Sequence, residues 1–353
     1  MKRRFVNRLL AMAAFAILLT GCGSGTVEEQ KNADLSSENV IITETGEVLE
    51  IEGPQVVAAT EKPQQIGNQS ETDGAKATAT PLVVTPEIQL TEPEQEQVIT
   101  QEDQIEPAGN ELQLVFLGDS IFDNNRDGTG IPYLTSVQCE ADVYNLAIGG
   151  TSATIETGEQ MSTEEWTSRS LAGVVYAMTG KIPTDIFEGT RTKEILDNPN
   201  VDFSKTDYFI IEYGMNDFFR GVPRDGYEHP YDVRCYVGAL RFAIVNLRAL
   251  APDATIVLCA PNYAQFYDGN WMIGDGNSVN TGYGTLFDYK GSCEAVATEM
   301  NTLFLDAYGS LGIDSYTAEQ YLEDGVHLTA EGRQLYADAL ARVINGYEET
   351  KNN

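Results

Sequence analysis

The 353-residue chain holds only two histidines, His229 and His327, and its five cysteines form no CxxC pair and no Cys/His cluster. Structural zinc is held by closely spaced Cys and His ligands, so no zinc site is expected. Basic residues are also scarce: 22 Lys and Arg face 54 Asp and Glu, for a formal net charge of −32, and no basic stripe is visible. Nucleic-acid binding, which relies on cations to displace counterions from phosphates, is therefore not expected. The apolar run from Leu9 to Leu19 is too short to span a bilayer, which takes about 20 residues. Between Gly23 and Asn110 there is no aromatic residue at all, so that stretch lacks the large side chains on which a core is built.

The beginning of the chain has a different use. Lys2, Arg3, Arg4 and Arg8 precede or open the apolar run, the order found in a secretory signal peptide. Leu19-Thr20-Gly21-Cys22 resembles the bacterial lipobox, which implies cleavage before Cys22 and diacylglycerol on its thiol. Residues 1–21 are thus expected to be a lipoprotein signal peptide. The mature chain is expected to be exported and anchored through Cys22 to the cell membrane, facing outward without spanning it. Residues 22–110 carry 18 Asp and Glu against Lys31, Lys62 and Lys76, with many Thr, Gln and Pro. They are expected to be an acidic, disordered spacer, because they bury too little apolar area to offset chain entropy. Within it, "NVIITETGEVLEIEGPQVVAAT" partly alternates and could pair as a short hairpin.

The fold is expected over 111–348, long enough for one sizeable core. Short runs rich in β-branched and aromatic residues read as buried strands at 112–117, 142–148, 207–213, 254–260 and 302–307. Between them, Val233, Val237, Leu240, Ile244 and Leu247 recur at helical spacing, and "DYKGSCEAVATEMNTL" is a second helical segment. A last helix is predicted from Ala330 to Ile344, capped by Thr329 and ended by Asn345-Gly346. Such alternation implies an α/β fold with a mainly parallel sheet covered on both faces, its reactive groups at the carboxyl ends of the strands. Cys259, in "ATIVLCA", reads as a buried thiol.

The first strand ends in Gly118-Asp119-Ser120-Ile121. A serine hydroxyl is a weak nucleophile that needs a base, and the base needs a group to orient it. His327 in "LEDGVHLTAEG" has Asp324 three residues earlier, a spacing that lets a carboxylate fix the imidazole tautomer. His229 has no such neighbour and reads as a loop residue. Oxyanion donors are on offer after the next two strands, the backbone N–H of Gly150 in "NLAIGGTSA" and the amide of Asn216 in "YGMNDFF", beside the N–H of Ser120 itself.

Taken together and in this order, Ser120 in "GDSI", Gly150 in "NLAIGG", Asn216 in "GMND" and Asp324 with His327 in "DGVH" resemble the four blocks of the SGNH (GDSL) hydrolase superfamily, over about Leu112 to Leu335. The resemblance implies a flavodoxin-like three-layer α/β/α sandwich around a five-stranded sheet. It also implies ester hydrolysis through an acyl-enzyme, without metal or other cofactor. Ser120 would attack, His327 would carry the proton, Asp324 would orient it, and Ser120, Gly150 and Asn216 would hold the oxyanion. Ala147, where some members have Gly, and Thr151, where many have an acid, depart from the pattern and weaken the transfer of any subfamily's substrate.

Asp123, Asn125, Asp127 and Gly128 match the first positions of a calcium loop, but its twelfth position is Leu134 where a bidentate Glu is needed, so a polar turn is expected. Phe218, Tyr263, Tyr267 and Trp271 stand where they could stack on sugars or pack long loops, and the long segment from Glu156 to Thr192 could cover the cleft. The expected substrate is an acyl ester, preferably an acetyl ester on a polysaccharide or peptidoglycan. A short-chain or lipid esterase (a lysophospholipase) is the alternative, and a surface binding protein without turnover is the alternative of another class. The domain is expected to act as a monomer.

Overall fold

The computed structural model describes residues 109–351, apart from 157, 160, 227 and 228, together with the two strands 39–42 and 48–51. The signal segment 1–21, Cys22 and the rest of the acidic stretch lie outside the described residues. In the acidic stretch, strands β1 (Asn39–Ile42) and β2 (Val48–Ile51) pair antiparallel, Asn39 opposite Ile51, which is the short hairpin the alternation suggested.

In the folded domain the strands are β3 (Leu112–Gly118), β4 (Ala141–Asn145), β5 (Tyr208–Glu212), β6 (Thr255–Cys259), a small ribbon of β7 (Gln265–Asp268) and β8 (Trp271–Asp275), and β9 (Leu303–Leu305). Five of them form a sheet in the order β4-β3-β5-β6-β9, and every pairing in it is parallel. Leu114 to Leu117, Tyr208 to Ile211 and Ile256 to Cys259 are all buried, as expected for strands covered on both faces. Helices Ile131–Cys139 and Ala330–Lys351 pack together on the sheet, and Leu171–Met178, Tyr236–Leu250 and Leu286–Glu299 form the other packed group. This is the three-layer α/β/α arrangement. Val237, Leu240, Ile244 and Leu247 are buried as their spacing predicts, each such side chain contributing about 1.5–3 kcal/mol.

The strand order matters for the site. From β3 the chain moves to β4 on one side and then crosses to β5 on the other, so the loops leaving β3, β4 and β5 meet at a switch point at their carboxyl ends.

Two expectations change. The last helix continues through Asn345-Gly346 to Lys351. A mid-helix glycine costs only about 1 kcal/mol relative to alanine, and partners beyond it offset that: Tyr208 donates its hydroxyl to Glu348, and Lys351 lies 5.0 Å from the Tyr208 ring centre. The segment after β4 is not a loose cover either. Leu171, Ala172, Val174 and Val175 are fully buried and Ile195 and Phe187 join the same core, so this stretch is structural from residue 170 onward.

The four cysteines of the domain, Cys139, Cys235, Cys259 and Cys293, are buried free thiols.

Candidate active site

β3 stops at Gly118, and the chain turns directly into a one-turn helix, Ser120–Asp123. Asp119 caps that helix: its Oδ1 accepts the Ile121 N–H at 3.0 Å. Ser120 therefore stands at the start of the turn, on the sheet edge where the crevice opens. Its Oγ lies 2.9 Å from His327 Nε2, and His327 Nδ1 lies 2.8 Å from Asp324 Oδ2.

The turn carrying Asp324 and His327 is built locally. Asp324 Oδ1 accepts the N–H groups of Val326 and His327 at 3.0 and 2.9 Å, and Gly325 between them takes a φ of +88°, which a side chain would strain. Thr329 then caps the long final helix, its Oγ1 accepting the Gly332 N–H at 3.1 Å. The imidazole is thus mounted at the end of the longest helix of the domain. Burial alone would raise the Asp324 carboxyl, but hydrogen bonds from the His327 ring and backbone outweigh it and bring it down to about 2. The hydrogen bond to Asp324 raises His327 above its ordinary value, against a smaller opposing effect of burial. A hydroxyl so placed can pass its proton to the imidazole as it attacks an electrophile.

Gly150 and Asn216 come to the same place from β4 and β5. Gly150 has a φ of +78°, and neither its N–H nor that of Ser120 is taken by another group among the described residues. Asn216 differs from the expectation of a ready donor: its Nδ2 gives both hydrogens away, to Asp119 Oδ2 and to the Thr151 carbonyl, each at 2.9 Å. Two acceptors on one atom also settle which end of the amide is nitrogen.

Beneath these groups lie three carboxyls that the sequence reading gave no role. Asp119, Glu212 and Asp217 are fully buried. Asp217 is served by the N–H groups of Ala153 and Thr154 and by the Thr154 hydroxyl, and burial still raises it. Asp119 is pushed up to about 6, chiefly by burial, with the Ile121 N–H and Glu212 opposing. Glu212 sits opposite Gly118 in the sheet, and neither of its oxygens makes a hydrogen bond of regular geometry. Burial first, then the charge of Asp119, push it well above the carboxylate range, which favours the neutral form of Glu212. The signal was present in "DYFIIEY", where a charged residue closes an otherwise apolar, doubly covered strand.

The calcium pattern is filled from within. Arg126 Nε contacts Asp123 Oδ1 at 2.6 Å, and its two terminal nitrogens donate to the carbonyls of Asn145 and Ala147 at 2.9 and 2.7 Å. Asp127 is occupied by the N–H and hydroxyl of Thr129, and Leu134 belongs to the next helix. Among the described residues no group of three or more His, Cys, Asp or Glu is placed to hold a metal ion.

Of the four aromatic candidates, Phe218 is buried and stacks on Phe266, and Tyr263 is buried with its hydroxyl 3.0 Å from Asp275. Tyr267 and Trp271 are exposed on the β7–β8 ribbon. His229 lies on an exposed loop, its Nδ1 accepting the Tyr231 N–H. Ser120 and His327 open onto a cavity of about 280 Å³ lined also by Ile121, Asn124, Asn125, Glu323, Leu328 and Arg333.

A nucleophile, base and carboxylate carried on the edge of a parallel α/β/α sheet define a serine-hydrolase architecture. The model of the GDSL-like lipase/acylhydrolase family matches residues 116–335, and the chain belongs to that family. A GDSL esterase/lipase of Arabidopsis thaliana is 26% identical over 144 residues, 38% of this chain and 57% of that protein, so the chain spans little more than half the length of this relative. One solved structure, 20% identical, superposes with a TM-score of 0.51 over 69% of this chain and 97% of its own. A catalytic mutant of an acetylxylan esterase from Geobacillus stearothermophilus, also 20% identical, gives a TM-score of 0.43 over 67% of this chain and 96% of its own.

Proposed function

We propose that this chain hydrolyses carboxylic esters through an acyl-enzyme on Ser120, with acetyl esters of a carbohydrate as the preferred substrate. The observation that carries the reading is the continuous relay from Ser120 to His327 to Asp324, at 2.9 and 2.8 Å, at the mouth of a small polar cavity. Ser120 Oγ attacks the ester carbonyl while His327 Nε2 takes its proton. The negative oxygen is held by the N–H groups of Ser120 and Gly150, and by Asn216 once its amide lets go of the Thr151 carbonyl. His327 returns the proton to the departing alcohol, and a water activated by the same imidazole releases the acid.

Asn124, Asn125, Glu323 and Arg333 supply hydrogen-bonding groups to the cavity, against only Ile121 and Leu328 as apolar walls. That composition suits a short acyl group on a hydroxyl-rich alcohol better than a long hydrocarbon tail. A lipid anchor on Cys22 with the acidic stretch as spacer would present the domain to a surface polymer such as an acetylated polysaccharide or peptidoglycan.

The test is labelling of the protein by a fluorophosphonate probe and turnover of p-nitrophenyl acetate against p-nitrophenyl octanoate, beside Ser120→Ala and His327→Ala, followed by acetate release from acetylated glycans. Labelling and turnover that both variants abolish, with acetate favoured over octanoate, are expected. Absence of serine-dependent turnover would leave a binding protein, and preference for octanoate would make it a lipid esterase.

A further inference from the structure

The turn that carries Gly150 is pinned on both sides of a single peptide. Ile148 to Thr151 form a β-turn, with the Thr151 N–H donating to the Ile148 carbonyl at 3.2 Å. The positive φ of Gly150, +78°, at the third position is the mark of a type II turn. The middle peptide, between Gly149 and Gly150, makes no hydrogen bond of its own among the described residues. Two glycines flank it, so little in the local chain opposes its flipping to the type I form, which would reverse the direction of the Gly150 N–H.

The neighbouring peptides are held hard. On one side, Asp123 Oδ2 accepts the Gly149 N–H at 2.6 Å, while Asp123 is itself paired with Arg126 at 2.6 Å. On the other, Arg220 Nη2 donates to the Gly150 carbonyl at 2.9 Å, while its Nη1 binds Ser152 Oγ at 2.6 Å and the guanidinium pairs with Glu156. The turn also lies against the nucleophile: an ideal Cβ built on Gly149 would stand 3.7 Å from Ser120 Cβ.

We propose that Asp123 and Arg220 are positioning residues that lock this turn in the type II form, so that the Gly150 N–H faces the oxyanion position before substrate arrives. The inference rests on the reading of Gly150 as an oxyanion donor given above. Neither side chain touches substrate. Each fixes the peptide next to the one that works, which is how a donor is oriented in advance rather than at the moment of reaction.

The experiment compares Asp123→Ala and Arg220→Ala with the conservative pair Asp123→Asn and Arg220→Lys, in the full chain, on p-nitrophenyl acetate. Losing an oxyanion donor outright costs about 100- to 1,000-fold in kcat. Loosening it should lower kcat about 10- to 100-fold in each alanine variant while KM changes less than about 2-fold. The double alanine variant should lose less than the product of the single losses, because both act on one peptide. Affinity for an arylboronic acid, which mimics the tetrahedral intermediate, should fall by the same factor as kcat/KM, and the conservative pair should recover most of both. A merely structural role would not make boronate affinity track kcat/KM. Should an alanine variant fail to fold, the conservative variants carry the same comparison through their smaller, parallel losses. Wild-type kcat in folded variants, or a loss confined to KM, would overturn the inference while leaving serine-dependent turnover intact. Wild-type turnover that ignores Ser120→Ala would instead overturn the reading on which it rests.

Discussion

Two aspartates stand close to the same serine and are driven in opposite directions. The Asp324 side chain is 58% exposed yet its carboxyl is brought down to about 2, while Asp119 is 0% exposed and is pushed up to about 6. Asp324 faces an imidazole and two backbone N–H groups, and Asp119 is fully buried beside Glu212 and Asp217. Donors and a nearby cation outweigh partial desolvation on one side. On the other, complete burial among acids wins over two hydrogen bonds. On the proposed mechanism the first arrangement tunes the base, and the second lies under the nucleophile.

Asp324→Asn should break the first side with the largest effect, lowering kcat/KM by roughly 1,000- to 10,000-fold. His327 must be neutral to accept a proton, so activity is lost as pH falls through its raised value. Removing Asp324 should therefore also move the acid limb of the kcat/KM profile to lower pH, which a pH series on both proteins reads directly. Gly325→Ala comes next. With a φ of +88° and a new Cβ only 2.3 Å from the Gln265 carbonyl, it should shift the Asp324–His327 turn, lowering stability by about 1–3 kcal/mol in urea melts and activity at least about 10-fold.

The second side is sharpened by comparing Glu212→Gln with Glu212→Ala. A neutral amide resembles the protonated acid and should cost less than about 1 kcal/mol, whereas alanine leaves a cavity under Asp119 and should cost about 2 kcal/mol or more. Because the folded values of Asp119 and Glu212 lie above their unfolded ones, these groups favour the fold fully below pH 4. That contribution declines as pH rises, for Asp119 between 3.8 and about 6. Asp324 acts in the opposite sense, its contribution present above 3.8 and lost as pH falls toward about 2. Urea midpoints across pH 2 to 7 should therefore show a maximum near pH 4 from these groups, with the alkaline decline reduced in Glu212→Gln. The smallest effect is expected far from both: Trp271→Ala, exposed on the β7–β8 ribbon, should change stability by no more than about 0.5 kcal/mol in the same melts.

The sheet, and the meeting of Ser120 with Asp324 and His327, were legible because buried parallel strands leave continuous apolar runs and a two-histidine chain offers few bases. What was not legible depends on contacts distant in sequence. Helix propensity at Asn345-Gly346 says stop, and partners far earlier in the chain, the Gln138 carbonyl under the Asn345 amide and the Tyr208 hydroxyl at Glu348, explain why the helix goes on. "LAGVVYAM" fits a cleft cover or a core helix equally well until its neighbours are known. The commitment of both Asn216 hydrogens to Asp119 and Thr151 cannot be read from "GMND", since the second acceptor is a backbone carbonyl on another strand's loop. In "DNNRDG" the arginine inside the calcium-like spacing was the available hint that the loop carries its own cation.

The separation of Ser120 from His327, 207 positions along the chain, bears on when activity can begin. During synthesis the serine, its capping aspartate and both glycines of the neighbouring turn emerge before the segment that carries the imidazole. On the proposed mechanism, a chain cut between the two positions holds a nucleophile with no base. On that mechanism, turnover waits for the final helix to dock and bring His327 to Ser120.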